Sequence, residues 1–466
     1  MSAAKKEPPN IVFFFTDDQR FDTISALGNK DIITPTLDGL VREATTFTRA
    51  YIMGGTSGAV CMPSRAMLHS GRTLFHIDDV GQQIPPEHVT LCERFRQAGY
   101  TTFGTGKWHN GPASYARSFS GGAEIFFGGM NDHWNVPACD FDPTGRYGEA
   151  RPLLARWGKQ EVNYEQIYNH IRPGRHSSDL FGDASVRFLR EYKGREPFFM
   201  YVSFMAPHDP RETHDQYHAM YPPEKMPLPE NFKPAHPFDN GELKIRDELL
   251  AGFPRTGEEI RRHIADYYAM ITHADAVAGR VIEVLKETGR YGDTIIVFSG
   301  DNGLAVGRHG LMGKQSMYDH SVHVPLVMSG PGIPRGQVRR AMCYLQDIYP
   351  TLCDLAGLSV PDSVEGKSLV PVLHEAKGKV RNNLLFAYRH LQRSVQDERW
   401  KLIEYVVDGR RTTQLFNLAE DPFELTSLAD EPACRDHLGR LRHQIVSWRD
   451  DLGDSCRDFW NTFSGE

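Results

Sequence analysis

Apolar positions along the chain fall in short runs that break off into polar segments containing glycine or proline. Residues 11–15 run into Thr16-Asp17-Asp18, and residues 101–103 into Gly104-Thr105-Gly106-Lys107-Trp108-His109. Residues 198–204 lead to Ala206-Pro207-His208-Asp209, and residues 294–298 to Ser299-Gly300-Asp301-Asn302-Gly303. Unalternating β-branched and aromatic runs of this length predict strands buried on both faces of a mostly parallel sheet. Between them, apolar residues at helical spacing predict helices over 91–98, 179–192 and 258–288, closed by Gly99, Gly194 and Gly289. Strand alternating with helix predicts an α/β sandwich. Functional groups in open α/β sheets gather beyond the carboxyl ends of the strands, where all four polar segments fall, so one shared site is expected.

Two stretches depart from this alternation. Residues 207–254 are rich in proline and polar residues and read as a long surface excursion rather than a domain linker. Near Val380 the pattern changes to short strand-like runs at 384–388, 400–407 and 414–416, followed by a helix around 438–448. The expected division is a catalytic α/β domain over 1–379 and a C-terminal subdomain over 380–466, a small antiparallel sheet plus helix.

Composition narrows the function classes. The 466 residues carry 53 basic and 60 acidic side chains, a formal charge of −7, with no Lys/Arg-rich block, which argues against nucleic acid or a membrane surface as partner. Any anionic substrate must be attracted by local groups. Seven cysteines, at 61, 92, 139, 343, 353, 434 and 456, form no C-x-x-C pair and no zinc-type spacing, so a reduced set is expected. The first apolar stretch, residues 11–15, is too short for a signal-peptide core or a membrane span. Taken literally the chain is expected in the cytoplasm; a signal peptide removed beforehand would place it in the periplasm or outside the cell. Oligomeric state leaves no signature.

The polar segments supply candidate chemistry. Asp17, Asp18, Asp301 and Asn302 offer only oxygen ligands, which suits Ca²⁺ or Mg²⁺ far better than zinc, although Asp18 and Asn302 also read as turn or cap residues. Lys107 and His109 flank Trp108; either they are exposed neighbours of a core anchor, or they supply an ammonium and an imidazole to an anion. His208 between two prolines and Lys314 among glycines are, taken singly, equally structural. Cys61 is followed by Pro63, Arg65 and then Ser70-Gly71-Arg72, after a Gly-rich approach over 54–58. A helix starting near Pro63 or Ser64 would turn its first amides toward an anionic group and let Arg65 fold back on residue 61. Without that surrounding motif, Cys61 would read as a small buried hydrophobe.

Together these motifs resemble the formylglycine-dependent sulfatases of the alkaline-phosphatase-like superfamily. The resemblance rests on Asp17-Asp18-Gln19-Arg20, Cys61 to Arg72, Gly106-Lys107-Trp108-His109, Ala206-Pro207-His208-Asp209-Pro210, Gly300-Asp301-Asn302-Gly303 and Gly313-Lys314, in the family's order. Trp400-Lys401-Leu402-Ile403 and Leu415-Phe416-Asn417-Leu418 with Asp421-Pro422 resemble its smaller subdomain. The implied fold is an α/β/α sandwich with the C-terminal sheet described above. By the same resemblance, a formylglycine-generating enzyme oxidises Cys61 to an aldehyde, and Asp17, Asp18, Asp301 and Asn302 hold Ca²⁺ together with the formylglycine made from Cys61. One hydroxyl of the hydrated aldehyde attacks sulfur and the other then expels sulfate. His109 is the implied base for that second step, His208 and Lys314 hold the sulfate and one of them protonates the leaving oxygen, and Lys107 and Arg65 fix the charged groups. Ser70 stands where the family has Thr, and His323 where it has Arg, which alters one wall of the expected site.

The Asp17-Asp18 pair looks more like carbohydrate sulfatases than choline-sulfate enzymes, so the expected substrate is a sulfated saccharide, attacked at a chain end. His133, Trp134 and Arg211 lie between the motifs as candidate sugar contacts, with loop packing as the other reading. Two alternatives stand beside the sulfatase: a phosphonate monoester or phosphodiester hydrolase of the same superfamily, and a non-catalytic sulfated-glycan binder with unmodified Cys61.

Overall fold

In the computed structural model, which describes residues 8–157 and 160–463, the four predicted strands are four neighbours at the centre of one sheet. Its order is Gln337–Arg339, Thr45–Tyr51, His323–Ser329, Thr294–Gly300, Asn10–Thr16, Phe198–Ser203, Thr101–Lys107 and Gly121–Phe126, with Cys343–Tyr344 also paired to Thr45–Tyr51. From Thr294–Gly300 to Gly121–Phe126 the strands are parallel, and His323–Ser329 is antiparallel to both its neighbours. The register sets Thr16 opposite Gly300, Phe15 opposite Ser203, and Ser203 opposite Gly106. The strands therefore end level, and Asp17, Asp301 and Lys107 leave the sheet side by side.

Burial on both faces explains the unalternating runs. Ile11, Phe13 and Phe15 face one apolar layer with Tyr201 and Val297, covered by the helices Cys61–Ser70, Leu91–Gln97 and Ile348–Leu355. Val12 and Phe14 face the other layer with Val202 and Phe298, covered by Pro35–Glu43, Ser177–Glu191 and Gly257–Glu287. Residues 11–15 are wholly inaccessible to water. Each of their three phenylalanines contributes about 2–3 kcal/mol of transfer free energy, which fixes this strand as the spine of the sandwich. Threonine caps start two of the helices: Thr90 forms a capping box with Glu93, and Thr256 accepts from Glu259 N.

The sheet differs from its sequence reading in three places. The strand predicted at 101–103 continues to Lys107, because Gly104 and Gly106 are there for close approach rather than as breakers: a Cβ on Gly106 would lie 1.8 Å from the Ser203 carbonyl oxygen. Thr45–Tyr51, Gly121–Phe126 and His323–Ser329 are further strands that the sequence reading did not include, the last although Leu326, Val327 and Met328 form a short apolar run after Pro325. The excursion over 207–254 is not confined to the surface: Tyr221, Asp247 and Glu248 are buried, and the segment folds back across the carboxyl edge of the sheet.

The C-terminal strands Leu384–Tyr388, Gln392–Gln396, Trp400–Val407 and Arg410–Asn417 form an antiparallel sheet, to which Gly54–Gly55 adds a parallel pair on Leu384–Tyr388. One face, with Phe386, Ile403, Tyr405 and Phe416, joins the main core; the other, with Val395, Leu402 and Leu415, packs on Leu441 and Ile445 of the helix Arg435–Leu452. All seven cysteines are unpaired. No described helix is long and apolar enough to cross a membrane.

Candidate active site

Cys61 opens the helix Cys61–Ser70 with Pro63 in its first turn, two residues earlier than the sequence suggested, and lies buried at the carboxyl edge of the sheet. Its Sγ is 3.5 Å from His109 Nδ1 and 3.6 Å from Lys107 Nζ. Asp18 and His109, each just past a strand end, have positive φ angles of 67° and 73°, a strained backbone that turns both side chains inward. Trp108 is the core anchor, fully buried and stacked on His69, and it is this anchoring that aims Lys107 and His109 at Cys61.

The carboxylates are interlocked. Asp301 Oδ1 accepts from Asp18 N at 3.0 Å, and Asp18 Oδ1 accepts from Asn302 Nδ2 at 2.7 Å and from Lys314 Nζ at 2.6 Å. Lys107 Nζ donates to Asp17 Oδ2 and to the Gly129 carbonyl. Arg65 does not fold back on residue 61. Its Nε donates to Asp301 Oδ2 at 2.8 Å and its Nη1 to Ser203 Oγ at 2.7 Å and the Lys107 carbonyl at 3.0 Å. It orients a carboxylate and clamps two strand ends.

What remains unsatisfied points to a cation. Asp17 Oδ1, Asp18 Oδ2 and Asn302 Oδ1 are buried without a hydrogen-bond partner, and each such atom costs about 1–3 kcal/mol. Asp17, Asp18 and His208, and again Asp17, Cys61 and Asp301, bring candidate ligand atoms within 4.8 Å of one another. An oxygen-dominated set of this kind fits a hard divalent ion.

The electrostatics separate the groups by role. Burial and the neighbouring Asp301 push Asp17 up to about 6, whereas Lys314 and His208 outweigh burial at Asp18 and hold it at about 2. Burial pushes the Cys61 thiol up, and Lys107 and Lys314 offset this only in part. Burial, reinforced by Lys107, Arg65 and Lys314, holds His109 well below its ordinary value and so neutral. His208 Nδ1 is 2.8 Å from the Asp209 carbonyl, an acceptor, so Nδ1 carries a proton and Nε2 faces the site, 3.8 Å from Asp18 Oδ2.

Two adjoining cavities share His109, Gly129 and Met130. One, of about 220 Å³, is lined by Gly58, Cys61, His208, Arg246, Asp247 and Lys314; the other, of about 520 Å³, by Gln82, Gln83, Glu165 and Gln166 among others. The three expected sugar contacts, His133, Trp134 and Arg211, line neither cavity. His133 is fully buried, with Nδ1 2.6 Å from Ser177 Oγ and Nε2 3.0 Å from the His208 carbonyl, so both nitrogens already serve the fold. Trp134 packs edge-on against His176 and His214, and Arg211 bonds His263 Nδ1 at 2.8 Å. Nor does His323 form a wall of the site: it is stacked between Phe21 and Tyr51, with Nε2 3.0 Å from the Thr48 carbonyl. Ser70 and Arg72 bond backbone carbonyls at the helix end, a structural use of that half of the motif.

The sequence reading missed Arg246, which pairs with Asp209 and Asp247 at the mouth of the smaller cavity, and Gln315, which ties Asp247 Oδ2 to the Gly58 carbonyl at 2.8 and 2.9 Å. Both depend on the excursion folding over the sheet edge, for which no local pattern is a signal.

The sulfatase family model matches residues 9–358, and one described as N-sulphoglucosamine sulphohydrolase, C-terminal, matches residues 307–451. An arylsulfatase of Clostridium perfringens is 29% identical over 476 residues, covering 94% of this chain and 94% of its own. A structure solved in complex with its substrate D-glucosamine-2-N,6-O-disulfate superposes with a TM-score of 0.75 at 21% identity, covering 97% of this chain and 99% of that one. A phosphonate monoester hydrolase of Agrobacterium radiobacter gives 0.74 at 24% identity, covering 95% and 96%. At such identities the structural likenesses establish the fold alone. The family match spans both the central sheet and every residue gathered around Cys61, and the chain belongs to the sulfatase family of enzymes.

Proposed function

We propose that the chain hydrolyses the sulfate ester of a sulfated carbohydrate at a chain end, with Cys61 matured to formylglycine and Ca²⁺ bound beside it. The observation that carries this reading is the set of orphaned buried oxygens of Asp17, Asp18 and Asn302, with Asp17 shared between a cluster with Asp18 and His208 and a cluster with Cys61 and Asp301. Asp17, Asp18, Asp301 and Asn302 would hold the ion, whose charge would polarise both the nucleophile and a sulfate oxygen. Formylglycine supplies, as a hydrated aldehyde, a nucleophilic hydroxyl and a second hydroxyl on the same carbon for releasing sulfate. The thiol itself is a poor candidate: burial raises its pKa, so it is protonated near neutral pH, and thiolate is the reactive form.

The surrounding side chains have definite tasks. Asp17, Asp18 and Asp301 are balanced by Arg65, Lys107 and Lys314, so a divalent ion leaves the pocket with an excess of positive charge in surroundings of low dielectric, which favours an anionic ester. His109, held neutral, can accept a proton at Nδ1, the atom nearest residue 61. His208 presents Nε2 and Lys314 its ammonium to the smaller cavity, where they can bind sulfate oxygens and, from Nε2, protonate the leaving oxygen. That cavity is sized for one sulfated residue, and the adjoining cavity, with Gln82, Gln83 and Gln166, offers amides to sugar hydroxyls.

The test is a comparison of kcat/KM for nitrophenyl sulfate with the matched phosphodiester and phosphonate monoester, together with a panel of defined sulfated monosaccharides. Preference for the sulfate ester and release of sulfate from at least one monosaccharide are expected. A preference of more than about tenfold, or 1.4 kcal/mol, for a phosphorus ester would replace the reading with the phosphonate or phosphodiester hydrolase. Glycan binding without turnover by protein whose Cys61 remains an unmodified thiol after co-expression with the maturation enzyme would replace it with the binder.

A further inference from the structure

Outside both cavities, Asp179, His214 and His273 bring a carboxylate oxygen and two imidazole nitrogens within 4.8 Å of one another. Asp179 lies in the first turn of Ser177–Glu191, His273 in the middle of Gly257–Glu287, and His214 in the excursion six residues after His208. His214 Nε2 is 2.7 Å and His273 Nε2 3.3 Å from the same atom, Asp179 Oδ2. We propose that these three side chains form a second metal site, distinct from the catalytic one and selective for Zn²⁺.

Donor chemistry separates the two sites. The catalytic set is dominated by oxygen, whereas two imidazoles and one carboxylate are the ligands of zinc and other late transition metals and suit Ca²⁺ poorly. The spacing to Asp179 fits as well: with bonds of about 2.0–2.1 Å, tetrahedral ligand atoms lie about 3.3 Å apart, which His273 already matches and His214 reaches by a small outward shift. The outer partners are of the kind metal ligands use. His273 Nδ1 is 2.8 Å from Thr213 Oγ1, and Asp179 Oδ1 accepts from Arg280 Nη2 at 3.1 Å, which orients ring and carboxylate. The neighbouring His176 is not a ligand, because Nδ1 accepts from Ser178 N and Nε2 bonds the Glu212 carbonyl. The side chain of His214 is 37% exposed, which leaves a path for the ion and a water to fill the fourth position.

A bound ion would tie together two helices and the segment that carries His208. His133 already bridges Ser177, two residues before Asp179, to the His208 carbonyl. The metal therefore acts as a structural staple behind the catalytic histidine and takes no part in the chemistry.

The experiment is calorimetric titration of Zn²⁺ into chelator-stripped, full-length protein with Ca²⁺ in excess, and Co²⁺ substitution read by visible absorption. The expected results are one saturable Zn²⁺ equivalent, an intense four-coordinate Co²⁺ band, and loss of both, with affinity lower by at least about 100-fold, in His214→Gln and Asp179→Asn. Absence of saturable Zn²⁺ uptake, uptake unchanged in His214→Gln, or only weak six-coordinate Co²⁺ absorption would each overturn the proposal. The wild-type Co²⁺ spectrum decides the matter even where a variant fails to fold, and none of these readouts depends on sulfatase activity.

Discussion

Asp18 and Lys314 face each other at 2.6 Å, both nearly inaccessible to water, and each sets the ionisation of the other. Removing the ammonium while keeping the bulk, in Lys314→Met, takes away a charge placed where sulfate oxygens would sit. The expected loss is about 10²–10³ in kcat/KM for nitrophenyl sulfate, by analogy with deletion of a preorganised electrostatic donor. It also leaves Asp18 short of a counter-charge, so the drop in Tm should be smaller with Ca²⁺ than with chelator. His133 gives the opposite pattern. His133→Ala should lower Tm and kcat while leaving KM for saccharide substrates nearly unchanged, since its nitrogens bond Ser177 and His208; a substrate contact would raise KM at unchanged Tm. The convergence of Asp17, Asp18, Lys107, His109, His208, Asp301 and Asn302 on one sheet edge was legible in the sequence because each lies just beyond a run whose burial fixes a strand's end, whereas Cys61, Arg65 and Lys314 stood out only through their motifs. His133, Trp134 and Arg211 follow no such run, and the direction their side chains take is decided by distant segments.

At the scale of elements, the site depends on strands that end level, and glycine makes one of those ends possible. A Cβ on Gly106 would lie 1.8 Å from the Ser203 carbonyl oxygen, and φ there is +87°. Gly106→Ala is expected to cost about 3 kcal/mol or more, combining backbone strain with a clash against a rigid strand. Gly99→Ala, also at positive φ but with open space around its Cβ position, should cost only about 1 kcal/mol; urea denaturation of both variants checks the contrast. The same geometry explains why part of the sheet was hidden. Gly104 and Gly106 look like breakers in the sequence, and strands such as Gln392–Gln396 bury polar side chains that hydropathy assigns to the surface. The helices Leu91–Gln97, Ser177–Glu191 and Gly257–Glu287 were legible because amphipathic spacing and nearby glycines are local signals.

At the scale of the molecule, the C-terminal sheet is not an independent appendage. Gly54–Gly55, just before Cys61, pairs with Leu384–Tyr388, and a Cβ on Gly54 would lie 2.1 Å from the Ala387 carbonyl oxygen. Phe386, Ile403, Tyr405 and Phe416 share the core of the main sheet, so deletion of residues 380–466 should yield protein without a cooperative thermal transition rather than a smaller active enzyme. The loop that presents Cys61 is thereby fixed from both sides, by the parallel sheet ahead of it and the C-terminal sheet behind. Everything in the account meets at that residue, and its chemical state is the central claim. The direct measurement is the mass of the tryptic peptide ending at Arg65, taken from protein that turns over nitrophenyl sulfate. The account predicts the aldehyde in the active fraction, lighter than the thiol because an oxygen replaces the sulfur and two hydrogens are lost; a fully intact thiol at residue 61 in turning-over enzyme would contradict it.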